Sequence, residues 1–194
     1  MARPRKFVER DVVSSAGEVF AVNGLAATTL DDLVQATGLG KQSLYNAFGG
    51  KRELFLRALS EDREEAARAV SEALEHGDAS PVERIRGHML RMAIEFSRSD
   101  SRVSLTTRAL VESTGESDQL ATVTKAGIEQ LAGIYGHCLA LAHANGDLPA
   151  DTNVPSLAMY FVAITRGMEL LGRSGVDRGA LTAVALDALR VFRT

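Results

Sequence analysis

Apolar residues recur along the chain at spacings of three and four, the repeat of one helix face, and no segment alternates apolar and polar positions as a strand would. The pattern predicts consecutive helices separated by capping residues. The first runs from about Phe7 to Asn23, with Val8, Val12, Ala16, Val19 and Phe20 on its apolar side and Asn23-Gly24 as its stop. A short second helix follows Thr29. The Thr29 hydroxyl can cap its first turn, Asp31 and Asp32 suit the positive end of the helix dipole, and Gly38 ends it. The third covers about Lys41 to Phe48 and stops at Gly49-Gly50. The fourth, from about Lys51 to His76, would be about 39 Å long and reads as a connector. Ser80-Pro81 then opens a fifth helix to about Arg98, with Ser as cap and Pro in the first turn. The sixth covers about Arg102 to Ser113 and the seventh about Ser117 to Ala144. The eighth covers about Val154 to Gly172, capped by Asn153, and the ninth about Val176 to Phe192.

Composition narrows the function. The chain has 194 residues and a single cysteine, Cys138, which excludes an intrachain disulfide framework and a multi-cysteine zinc site. The uncharged stretches Gln130 to Gly146 and Thr152 to Thr165 are respectively too polar and too short to span a membrane. Phe7-Val8 is followed at once by Glu9, Arg10 and Asp11, so no signal peptide is expected and the expected compartment is the cytoplasm. The net charge of −3 hides an asymmetry. Residues 1–57 carry eight Lys and Arg against six Asp and Glu, whereas the remainder carries 14 against 19. Arg3, Arg5, Lys6 and Arg10 crowd the first ten residues. A basic head on an acidic body suggests that one end meets a polyanion.

The segment from Thr28 to Leu54 gives that charge a motif. It reads short helix, Gly-Leu-Gly turn, short helix, the arrangement that places its second helix in the DNA major groove. At 100° per residue, Leu44, Ala47 and Phe48 fall on one side of the third helix. Gln42 and Asn46 fall on the other, flanked by Ser43 and Tyr45. Amides can pair with adenine, hydroxyls can meet bases or phosphates, and no carboxylate on this helix repels DNA. An isolated helix of this kind would be an ordinary bundle helix. The basic arm, the capped helix before it and the glycine turn favour the DNA-reading alternative.

Gly38-Leu39-Gly40-Lys41-Gln42-Ser43-Leu44-Tyr45-Asn46-Ala47-Phe48-Gly49-Gly50-Lys51-Arg52-Glu53-Leu54 resembles the N-terminal signature of the TetR family of bacterial transcriptional regulators, with its Leu-Tyr pair, the Phe three residues on, then Lys and Leu. The resemblance covers about residues 7–59. It departs where Gly40 replaces a common Ser, Gln42 a common Gly, and Gly50 a capping residue. It implies an all-α fold of about nine helices. Residues 1–50 would form a three-helix helix-turn-helix DNA-binding domain with a basic arm. A long helix would join it to a helical ligand-binding and dimerisation domain, residues 51–194. By the same resemblance, Thr28, Tyr45 and Lys51 would hold phosphates, and Lys41, Gln42, Ser43 and Asn46 would meet bases or nearby phosphates. Arg3, Arg5 and Lys6 would form an arm along the backbone or minor groove. For Tyr45 the alternative is packing against the first helix.

The implied activity is that of a homodimeric repressor bound to a palindromic operator and released by a small-molecule effector, without cofactor or metal. A ligand-independent repressor or an activator is the alternative within this fold, and a helical-bundle enzyme the alternative outside it. No Gly-Lys-Ser/Thr loop, His-Glu-x-x-His or Gly-x-Ser-x-Gly supports the enzyme. Candidate effector-pocket residues are Met89, Met92, Phe96, Leu105, Tyr135, Met159 and Phe161, with Thr106, Arg108, His137 and Arg166 as polar anchors. The eighth helix is apolar nearly all round, so it is expected to be buried on more than one side. The expected interface between copies is Leu157, Phe161, Ile164, Met168, Leu171, Leu181, Ala185, Ala188 and Phe192, with Gly167 and Gly172 allowing close approach. Adjacent helical residues diverge by about 100°, so His137-Cys138 reads as a structural pair rather than a metal or redox site.

Overall fold

The structure, a computed structural model, describes residues 9–98, 103–112 and 119–192. Arg3, Arg5 and Lys6 lie outside the described residues. Among those described, the regular structure is entirely helical: α1 Glu9–Ala27, α2 Leu30–Thr37, α3 Lys41–Phe48, α4 Lys51–Glu75, α5 Pro81–Phe96, α6 Leu105–Glu112, α7 Gln119–Ala144, α8 Val154–Arg173 and α9 Arg178–Ala188, then a 3-10 turn Leu189–Val191.

Local chemistry sets the ends of these helices. The Thr29 hydroxyl accepts the Asp32 N–H at 3.2 Å, and the Asp32 carboxylate accepts the Thr29 N–H at 2.8 Å, a reciprocal cap that opens α2. The Thr29 backbone and hydroxyl donors hold the Asp32 carboxyl below its ordinary pKa. Ser80 and Asn153 cap α5 and α8 through the N–H groups of Glu83 and Ser156. α9 starts two residues later than the apolar pattern predicts because Asp177 accepts the Ala180 N–H. α1 differs most from expectation. It leaves helical geometry at Gly24 (φ 80°, ψ 169°), as the Asn-Gly stop predicts, but a further turn follows, closed by the Thr28 N–H on the Gly24 carbonyl at 3.3 Å.

The described residues form two compact units, and the division falls within α4 and α7. The first unit runs to Glu65 and includes Ser104–Thr124. Its core joins Phe20, Leu33, Leu44, Phe48 and Phe55 to Leu105 and Ala109 of α6. Phe20 meets Phe55 edge to face, centroids 5.0 Å apart.

The second unit holds Ala66–Val103 and the chain from Lys125 onward. At its centre Phe161 stacks between Tyr135 and Phe192, with centroids 5.8 and 6.1 Å away. Met89, Met168, Leu181, Ala185 and Ala188 share this core. α8 is long and apolar enough, by length and composition, to cross a membrane. Its inward stripe of Ala158, Phe161, Val162, Thr165 and Met168 goes instead into the unit's own interior.

That burial corrects the expected surface for a second copy. Phe161, Met168, Leu181, Ala185, Ala188 and Phe192 are at most 6% exposed within the chain itself, so a partner cannot reach them. Leu157 and Ile164 are half-buried against the same core, and Leu171 alone of the set is exposed. Gly172 approaches its own chain: a Cβ there would strike the Phe96 carbonyl of α5. The outward side of α8 carries Met159, Tyr160, Ala163, Leu170 and Leu171, and that of α9 carries Ala183 and Leu186.

His88 of α5 is buried beside Tyr135 of α7. Burial first, then the positive charges of Arg91 on α5 and Arg166 on α8, lower its pKa to about 4. The folded chain therefore keeps His88 neutral where the unfolded chain, with an ordinary value of 6.5, takes up a proton. Its contribution is complete above pH 6.5 and is lost on acidification toward pH 4, up to about 3 kcal/mol. Denaturant unfolding between pH 7 and 4 should show this slope, and the difference between the protein and its His88→Leu variant should isolate it.

Candidate nucleic-acid interface

Helices α2 and α3 are joined by Gly38-Leu39-Gly40. Leu44 and Phe48 are 2% and 4% exposed, fixing the inner side of α3 in the core. Gln42, Ser43, Tyr45 and Asn46 are exposed on its outer side. The two amides are coupled: the Gln42 side-chain N–H donates to the Asn46 carbonyl oxygen at 3.0 Å. One N–H and the carbonyl oxygen of Gln42 are left over. That is one donor and one acceptor, the complement of adenine's N7 and N6 amino group in the major groove. The pairing reduces the freedom Gln42 must lose on binding a base.

Other expected contacts have different neighbours. Lys41 forms an ion pair with Asp31 of α2 at 2.8 Å, across the turn. Tyr45 is 51% exposed, so it stands outward rather than packing against α1. Thr28 is 1% exposed, and its hydroxyl donates to the Gly24 carbonyl at 2.6 Å, so it pins the α1–α2 turn and cannot reach a phosphate. Lys51, the first residue of α4, donates to the Thr28 carbonyl at 2.7 Å. Two ammonium N–H groups stay available for a phosphate. Periodicity could not reveal the Lys51–Thr28 contact, because it joins residues 23 positions apart in sequence.

The expected pocket residues do not fall together. Met89, Tyr135 and Phe161 lie in the core of the second unit, with Met92 and Phe96 packed against it. Arg166 is partly buried and donates to Glu169 at 2.7 Å. Leu105, Thr106 and Arg108 belong to the first unit, because α6 packs on α1 and its N-terminus is held by α4. There Thr106 donates through its N–H and hydroxyl to Asp62 of α4, at 3.0 and 2.8 Å. His137 and Met159 are exposed. Cys138 is buried, its thiol toward the Pro81 carbonyl and its pKa raised by burial.

The family described as "Bacterial regulatory proteins, tetR family" matches residues 12–58, from α1 through the start of α4. An uncharacterized HTH-type transcriptional regulator of Bacillus subtilis, YezE, is 32% identical over 82% of this chain and 83% of its own length. The chain belongs to the TetR family. It is a DNA-binding transcriptional regulator, a non-enzymatic class. The HTH-type transcriptional repressor ComR of Escherichia coli is 25% identical over 98% of this chain and 91% of its own. A cysteine mutant of the TetR family regulator CifR, solved with 26-bp double-strand operator DNA, is 28% identical, with a TM-score of 0.86 over 99% of this chain and all of that one.

Gln42 and Lys51 should fail differently when truncated. Gln42→Ala should cost about 1–3 kcal/mol on the preferred sequence only, and 7-deazaadenine at the contacted base should weaken the native protein but not the variant. Lys51→Ala should weaken every duplex alike and reduce the salt slope by about one charge per subunit. Fluorescence anisotropy over a salt series separates the two.

Proposed function

We propose that this regulator is a cytoplasmic homodimeric repressor that binds a near-palindromic operator and is released by a small-molecule effector. Residues 1–50 read DNA, with Arg3, Arg5 and Lys6 following the backbone, and residues 51–194 assemble the dimer and bind the effector. The outward amide pair of α3 above buried Leu44 and Phe48 carries the DNA-reading part. The likeness to ComR, named a repressor, and to CifR, solved on operator DNA, supports repression at an operator. A two-fold axis would set two α3 helices about one helical turn apart, roughly 34–36 Å, on half-sites of opposite sense.

The outward stripe of α8 and α9 supports assembly. Met159, Leu170, Leu171 and Leu186 are 42–46% exposed, and exposed apolar surface of this kind marks an interaction site, most often with a second copy in a symmetric dimer. Gly167 and Ala163 leave that face low between the larger side chains. Leu170→Glu should leave the helical content unchanged and turn the dimer into a monomer in sedimentation, with operator binding lost. A native protein that stays monomeric at micromolar concentration would overturn the assembly.

Effector binding is assigned to the second unit. Tyr135 is 1% exposed, and its hydroxyl lies beside that of Thr165, whose own proton goes to the Phe161 and Val162 carbonyls. Its apolar surroundings suit a small, largely uncharged molecule with an accepting oxygen. The effector must bind the operator-free state more tightly, since equal affinity for both states shifts nothing. A coupling of about 1–3 kcal/mol would lower operator affinity some five- to 150-fold. Titrating the operator complex with candidate compounds tests this. Tyr135→Phe should blunt the response while leaving unliganded binding intact. A ligand that occupies the site without changing operator affinity would overturn the switch.

A further inference from the structure

The break in α1 creates a group that α1 cannot satisfy. Gly24 ends the first helical ladder, and Leu25 starts the short turn after it, so the Leu25 N–H is one of the donors a helix start leaves without a partner. Glu112, at the far end of α6, accepts it at 2.9 Å. The other Glu112 oxygen accepts from Arg108 Nε at 3.0 Å, one helical turn back on α6, which fixes the carboxylate's aim. A Cβ at Gly24 would run into the Glu112 carboxyl, so only glycine permits both the left-handed backbone and this approach. The turn then continues the linkage. The Gly24 carbonyl takes the Thr28 hydroxyl, and the Thr28 carbonyl takes Lys51 at the start of α4. At its other end α6 is fastened to Asp62 of α4 through the N–H groups of Leu105 and Thr106.

We propose that Glu112 is a positioning residue for operator recognition: by holding the Leu25 N–H, α6 sets the angle at which the α1–α2 turn presents α3 to the major groove. Glu112 touches no base on this reading. Arg108, whose sequence position suggested an effector anchor, orients the carboxylate. The assignment predicts an effect opposite in sign to electrostatics. Glu112→Ala removes a negative charge from the DNA-binding unit, which taken alone tightens binding to any duplex. Loss of positioning instead weakens the operator alone.

The experiment compares the full-length protein with Glu112→Ala and Glu112→Gln. Affinities are measured for the preferred operator and for a scrambled duplex across a salt series, with hydrogen exchange at the Leu25 amide and thermal unfolding. In Glu112→Ala the operator affinity should fall about tenfold or more, the loss of a hydrogen bond to a charged group. Scrambled-duplex affinity and salt slope should hold or rise slightly, and Leu25 exchange should accelerate. Glu112→Gln keeps one acceptor oxygen for the Leu25 N–H while giving up the Arg108 contact, and should restore a large part of the operator affinity and exchange protection. Operator binding by Glu112→Ala equal to or tighter than that of the native protein would overturn the proposal. So would a parallel loss of both affinities and of thermal stability that Glu112→Gln does not restore, the mark of a residue that only supports the fold.

Discussion

Helix α3 is eight residues long, too short to hold its shape in water alone. It is helical because Leu44 and Phe48 are buried in one core with Phe20, Leu33 and Phe55. That burial fixes the rotation of the helix about its axis, and rotation decides which side chains face DNA. With Leu44 and Phe48 inward, Gln42, Ser43, Tyr45 and Asn46 have no direction left but outward. The polar face that α3 presents is thus a by-product of apolar packing on the opposite side. The same core admits Leu105 and Ala109, so α6 belongs to the apparatus that holds the reading helix.

Much of this was legible in the chain. Thr29, Ser80 and Asn153 cap the helices they precede in sequence, because a capping contact spans only two or three residues. The inner and outer sides of α3 follow from a 100° step. What escaped the sequence spans long separations. Leu25 meets Glu112 across 87 positions and Thr106 meets Asp62 across 44, and no periodicity encodes either. Thr28 shows the cost: its place in the motif suggests a phosphate contact, while the structure buries it in a turn.

α8 fails for another reason. A helix apolar on most sides satisfies two stripes equally well, and the pattern does not say which faces the chain's own interior. The stripe through Phe161 and Met168 goes inside, where Phe161 stacks on Tyr135 and Phe192. The stripe through Tyr160, Ala163 and Leu170 is left outside. The second unit therefore combines a dense aromatic interior with polar groups that burial makes costly: neutral His88, Tyr135 and the ion pair of Arg166 with the 3%-exposed Glu169. Buried polar groups on three helices narrow the arrangements the core can adopt, since a packing that strands any of them is costly.

The hydrogen bond between Gln42 and Asn46 also bears on how this regulator could change its operator during evolution. Two side chains that share a contact do not drift independently. A substitution at Asn46 removes the partner that orients Gln42, so the effect on operator preference of changing both should differ from the sum of the separate changes. Routes to a new operator through either position alone then pass through an intermediate that has lost the old sequence without gaining another. Such a lineage would alter its target by paired replacement of the two amides rather than by single steps.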